Sequence, residues 1–207
     1  MPYRSRKGPP DFSQLLNPKL RWPTAGDRLF VSGDRATDAD LSATPHNRRW
    51  LITEGYKRAA DYMVERAEDG TVERDTLVYP IVFCYRHFIE MALKSLIASY
   101  GPGVRITPNW NTHDLMTLWR SFEAIRFEYD LVDHDGADAV VGDLVAEFAK
   151  IDPGSFSFRY PVDTAGKPLL LGRDSLDLVR LCDVMDGVAG YFDGTDGYLS
   201  ELVSSGP

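Results

Sequence analysis

Residues 76–99, TLVYPIVFCYRHFIEMALKSLIAS, form the most apolar helical stretch of the chain. At roughly 100° per residue, Arg86, Glu90, Lys94 and His87 fall within about a quarter turn. Cys84, Tyr85, Phe88, Ile89, Met91, Ala92, Leu93 and Leu96 fill most of the remaining circumference. A helix this apolar belongs at the centre of a bundle. Pro80 either starts its main part or kinks it, and Gly101-Pro102-Gly103 stops it. Its narrow polar stripe has two readings. It faces a polar cleft or partner, or it is a solvated row in which Glu90 and Lys94 pair at i, i+4.

Working outward, Trp50, Leu51, Tyr56, Ala59, Ala60, Tyr62 and Met63 recur at three- and four-residue steps, which predicts a helix over 46–68 ended by Gly70. Thr112 reads as the N-cap of a helix from His113 to about Phe127, with Asp114 placed to suit the helix dipole. Val140, Val141, Leu144, Val145 and Phe148 predict a helix over 137–150 that Pro153 closes. The alternation Phe156, Phe158, Tyr160, followed by Asp163 to Gly166, predicts a small β-hairpin between Ser155 and Leu171. A last helix begins near Asp174 or Ser175 and buries Leu178, Leu181, Cys182, Met185 and Val188 on its way to Phe192. The expected fold class is all-α, a bundle of about five helices with a small hairpin insertion before the last.

Residues 1–45 hold six of the prolines and only one β-like stretch, Arg28 to Ser32, so they read as an irregular arm ahead of a helical domain over 46–207. Leu15, Leu16 and Trp22 are its candidates for packing. Hydrophobic residues at 43% and charged residues at 26% describe an ordinary globular chain. The longest apolar runs fall far short of the roughly 20 residues of a membrane span, and no apolar stretch follows Arg4, Arg6 and Lys7, so a cytoplasmic location is expected. Cys84 and Cys182 lack zinc spacing and read as reduced, buried thiols. A net charge of −8 excludes a surface built as a whole to hold nucleic acid. Up to residue 75 the chain has 13 Lys and Arg against 12 Asp and Glu, while the remainder has 10 against 19. A polyanion would therefore be met by a few placed arginines or by the basic first ten residues.

The run Tyr85 to Ile97, a Gly-containing loop, Thr112-His113-Asp114-Leu115 opening the next helix, and Phe158-Arg159-Tyr160-Pro161 before the last helix resemble, in that order, the heart of HEPN domains (higher eukaryote and prokaryote nucleotide-binding). The resemblance covers roughly residues 46–195. It implies an all-α bundle, a homodimer, and RNA or nucleotide transactions. It further implies a setting in bacterial stress or phage defence, including toxin and antitoxin pairs with a nucleotidyltransferase as protein partner. Ribonuclease members cut RNA without metal, using an Arg followed a few residues later by a His, late in the domain. Here Arg86 and His87 are adjacent and early, while Arg105 to His113 and Arg126 to His134 are more widely spaced than that pattern.

Metal-independent RNA cleavage needs a group that titrates near neutrality and a cation to steady charge on the phosphorane, and His and Arg supply these. His87 or His113 is the candidate for proton transfer, and Arg86 with Arg159 for the phosphate clamp; Glu90, Lys94 and Tyr160 are candidate substrate-binding residues. The four catalytic candidates each have a plainer role beside them. His113 with Asp114 caps a helix, Arg159 ties down the hairpin, His87 is an interior imidazole, and Arg86 pairs with Glu90. No metal or other cofactor is expected on this reading. Two other functions remain open. One is a noncatalytic HEPN module for binding and dimerisation. The other is an HD-type metal phosphohydrolase using His87, His113-Asp114 and one of Asp130, Asp133 or Asp135. No phosphate loop, dinucleotide fingerprint or nucleophile elbow occurs, so kinase, dehydrogenase and serine-hydrolase readings have no support.

Overall fold

The computed structural model describes residues 21, 23–41 and 44–205. The chain divides into two units, Met1–Leu41 and Ser42–Pro207. In the first, the described residues form turns held by short acidic side chains. Asp27 accepts from the Thr24 amide at 2.8 Å, and Asp34 from the Ala36 amide at 2.8 Å. The β-like stretch at 28–32 is not a strand, because its groups find no partner ladder. Leu15, Leu16, Trp22 and the basic start lie outside the described residues.

The second unit is a helical bundle: α1 Pro45–Ala67, α2 Thr71–Tyr100, α3 Leu115–Glu128, α4 Ala137–Ile151 and α5 Leu178–Ser205. As the hydropathy pattern predicts, α2 is central. It packs along α1 and also touches α3 and α5, while α4 lies against α3 and α5. Ile81, Tyr85, Ile89, Leu93 and Ile97 of α2 are buried together with Leu115, Leu118, Phe122 and Ile125 of α3 and with Met185, Val188, Phe192 and Leu199 of α5. No helix among the described residues is long and apolar enough to cross a membrane. Cys84 is buried and Cys182 half-buried; both are free.

Helix α2 starts at Thr71, earlier than its hydropathy suggests, and runs on through Pro80. After Tyr100 a 3-10 turn, Gly101–Val104, leads into the loop. Gly101 accepts from the Ile106 amide at 2.8 Å, and a Cβ there would lie 2.3 Å from the Ile106 carbonyl oxygen, so this closure requires glycine.

Three boundaries depart from expectation. The N-cap of α3 is Asp114, not Thr112: the Asp114 carboxylate accepts from the Met116 amide at 3.0 Å and the Thr117 hydroxyl at 2.7 Å. Thr112 acts one step earlier, accepting from the Asp114 amide at 3.1 Å. The Asp177 carboxylate, accepting from the Arg180 amide at 3.0 Å, precedes the start of α5 at Leu178, beyond Asp174 and Ser175. The expected hairpin is reduced to one antiparallel bridge, Val162 to Pro168. Its first limb coils because Asp152 Oδ1 captures the Phe156 and Ser157 amides at 2.6 and 2.9 Å, drawing them into a turn in place of a strand ladder.

Candidate functional site

The polar stripe of α2 faces neither bulk solvent nor an open hollow. Arg86 is 0% exposed. Its Nε donates to the Asp152 carbonyl at 2.9 Å, Nη1 to Glu90 Oε2 at 3.1 Å, and Nη2 to the His113 carbonyl at 2.7 Å. Lys94, also buried, donates to Glu90 Oε1 at 2.8 Å and to the Trp110 carbonyl at 3.1 Å. The stripe thus knits α2 to the loop before α3 and to the end of α4. Both cations point inward because those loops carry carbonyls that no helix ladder satisfies. Arg86, Glu90 and Lys94 are brought together, as the wheel implies, but none of the three reaches the surface.

His113 connects this interior to the outside. Its side chain is 59% exposed, and Nδ1 lies 2.9 Å from Glu90 Oε1. Burial works to raise the Glu90 pKa, yet hydrogen bonds and charge from Lys94 and His113 outweigh it and hold the carboxyl below its ordinary value. An ionised carboxylate accepts only, so Nδ1 is the ring nitrogen that donates to Glu90 and Nε2 is the one not engaged by it. A buried acid that fixes the tautomer of an exposed imidazole is an arrangement suited to proton transfer.

His87 lies on the same helix and is half-buried. Its ring stacks on Phe83 with centroids 5.7 Å apart and meets Tyr56 edge-on at 4.3 Å. Burial is the largest influence on it and lowers its pKa, Lys94, Arg86 and His113 add to this, and Glu90 opposes it. His87 is therefore a neutral imidazole at pH 7.

Arg159 is exposed, and its guanidinium sits over three rings: Phe156 at 5.2 Å, Phe83 at 5.4 Å and Tyr160 at 5.5 Å from their centroids. Its Nε donates to the Ser155 carbonyl at 2.6 Å. Ser155 itself has a φ of 59°, in the left-handed region. The turn carrying Phe156, Arg159 and Tyr160 is held by Asp152, whose carbonyl in turn receives Arg86. Arg86 therefore bears on the exposed arginine through the backbone of one turn.

Phe83 joins the two halves of this face, since His87 and Arg159 both rest on its ring. In comparisons with family models, with curated proteins and with solved structures, none matches this chain. The site has to be judged on its own chemistry.

Asp152, Phe83 and Phe156 are site residues that the sequence reading passes over. Phe83 stands four residues before His87, which puts them on one helix face, and Asp152-Pro153-Gly154 is a turn signature. Those two signals were available. The metal-ligand set considered for an HD-type site does not assemble as such: the Asp114 carboxylate is occupied as a helix cap. Among the described residues the group with metal-ligand geometry is Asp61, Cys182 and Asp186. There the Lys57 ammonium lies 2.8 and 2.9 Å from the Asp61 oxygens and 2.5 Å from Asp186, so a cation already balances these carboxylates.

Proposed function

We propose that this chain is a HEPN-type helical module that binds RNA or nucleotides on the face formed by Phe83, His87, His113, Arg159 and Tyr160. Arg159 carries the reading: it is an exposed guanidinium within 5.5 Å of the centroids of three aromatic rings, one of which, Phe83, also stacks on a neutral imidazole. Half-exposed rings such as Phe156 and Tyr160 offer stacking surfaces to bases, and a guanidinium takes phosphate oxygens in pairs. A net charge of −8 favours a short single strand or a nucleotide over an extended duplex. The order of the Tyr85 to Ile97, Thr112 to Leu115 and Phe158 to Pro161 segments within a five-helix bundle supports the HEPN assignment. By that resemblance the molecule is a homodimer in a stress or phage-defence setting, with a nucleotidyltransferase as candidate protein partner.

A second reading, metal-independent cleavage, is favoured by the Glu90–His113 pair. His113 Nε2 would remove the proton of a ribose 2′-hydroxyl, whose oxygen attacks the adjacent phosphorus. The P–O5′ bond breaks, and the leaving oxygen takes a proton from water. In either reading Arg86 is a positioning residue.

Fluorescence anisotropy with a labelled single-stranded RNA of about ten nucleotides tests the binding reading. Arg159→Ala should weaken binding about tenfold, within the ~1–3 kcal/mol of one stacked base. Unchanged affinity in a folded Arg159→Ala variant removes this face from consideration. Gel analysis of the same RNA with the parent and with His113→Ala decides between binding and cleavage.

A further inference from the structure

We infer that the outer face of α1 seats a second copy of this chain, the two α1 helices running antiparallel about a twofold axis beside Tyr56 and Lys57. Its basis is the charge pattern of α1, independent of the RNA reading, and it gives the homodimer proposed above a definite interface. Arg48, Leu51, Gly55, Arg58, Tyr62 and Glu65 follow one another at alternating steps of three and four, and all are exposed. At roughly 100° per residue they share an arc of about 100°, on the side away from the buried Ala60 and Val64. The stripe is about 25 Å long.

The charges at its two ends are set against their own helix. Arg48 is the fourth residue of α1 and Glu65 stands in the last turn. Helix N-termini favour anions and C-termini favour cations, so each charge opposes the end of the dipole it occupies. No acidic residue in the first turn offsets Arg48. The ion pairs of α1 join Lys57 to Asp61 and Asp186, and Arg66 to Asp69; among the described residues Arg48 and Glu65 have none.

An antiparallel partner removes both faults at once. About the twofold axis Arg48 stands opposite the partner's Glu65, Leu51 opposite the partner's Tyr62, and Gly55 opposite the partner's Arg58, each contact being made twice. Each misplaced charge then meets its opposite, together with the favourable end of the partner's dipole. Leu51 and Tyr62, 46% and 59% exposed, supply apolar contact. The Tyr62 ring is steadied by Arg58, whose Nη2 donates to its hydroxyl at 3.0 Å. A Cβ at Gly55 would meet nothing within 4 Å, so its own bundle does not require the glycine, while beside the axis it leaves room for the partner's Arg58. A parallel pair would instead set Arg48 against Arg48 and Glu65 against Glu65. One helix pair is a small interface, so the dimer should dissociate in the micromolar range.

Sedimentation equilibrium of the full chain, from about 1 to about 200 µM, should show monomer and dimer in exchange. Arg48→Glu alone and Glu65→Arg alone each put two like-charged pairs across the axis and should weaken the dimer about tenfold or more. Both substitutions suit the helix dipole, so the melting temperature in dilute solution should hold or rise. Mixing the two single variants restores both opposite-charge pairs, since one copy is then acidic at both positions and the other basic at both. The equimolar mixture should therefore dimerise at least as tightly as the parent. A chain that stays monomeric at about 200 µM overturns the proposal and leaves the Arg159→Ala test of RNA binding untouched. A dimer indifferent to either substitution, or a mixture no tighter than the single variants, overturns it as well, because the copies then meet on another face.

Discussion

Glu90→Gln tests the buried network directly. The carboxylate is 1% exposed and receives Lys94 at 2.8 Å and His113 at 2.9 Å on Oε1, and Arg86 at 3.1 Å on Oε2. Glutamine has nearly the same shape but lacks the charge, and its NH2 group must face one of these donors. Two buried cations would then have only Asp152 as a nearby anion, with its Oδ2 3.5 Å from Arg86 Nε. Removing one partner of a buried pair costs about 3–5 kcal/mol. At about 2–4 °C per kcal/mol for a domain of this size, the melting temperature should drop by roughly 6–20 °C. Urea unfolding followed by helical circular dichroism at pH 7 measures the loss. The same experiment in acid has a definite sign. The Glu90 pKa is lowered on folding, so its contribution is fully present above the unfolded value near ~4.3 and disappears as pH falls through the folded value. The gap between parent and variant should therefore narrow as pH falls below ~4.3 and close only below the folded value. A gap under about 1 kcal/mol at pH 7 would mean that water reaches this network and that Arg86 is free to serve the surface.

Burial lowers the pKa of His87, so the parent should lose stability as pH falls from about 6.5 toward the folded value, where the unfolded chain binds the extra proton. His87→Phe should flatten that slope, read as the urea midpoint at pH 7.5 and 5.5; a slope that persists assigns it to another group. Asp114→Ala removes the cap of α3 and should cost about 1 kcal/mol in chemical unfolding. Thr112→Ala should cost less, and the reverse order would return the cap to Thr112.

The apolar repeats of 46–68, 76–99, 113–127 and 137–150 fix the helices, because a face that must leave water imposes its period on the sequence whatever the partner. The centrality of α2 was legible for the same reason, since a helix apolar over most of its circumference has few other places to go. Caps and turns were less legible. Thr112 and Asp114 are both good capping residues two positions apart, and only the course of the backbone decides which carboxyl or hydroxyl meets the open amides. The alternation at Phe156, Phe158 and Tyr160 has strand periodicity, but Asp152 diverts the amides that a strand would have used.

For the candidate site, the sequence by itself determined that Arg86, His87, Glu90 and Lys94 share one side of a helix, since that follows from helical geometry alone. It could not determine what that side would meet. The tertiary structure turned Arg86 and Lys94 inward, because the loop before α3 and the end of α4 bring carbonyls outside the helix ladders against α2, and the buried cations donate to them. It left His113 and Arg159 outside, one steadied by a buried carboxylate and the other by a cage of rings from α2 and a distant turn. Local periodicity sets which residues stand together, and long-range packing sets which of them meet water.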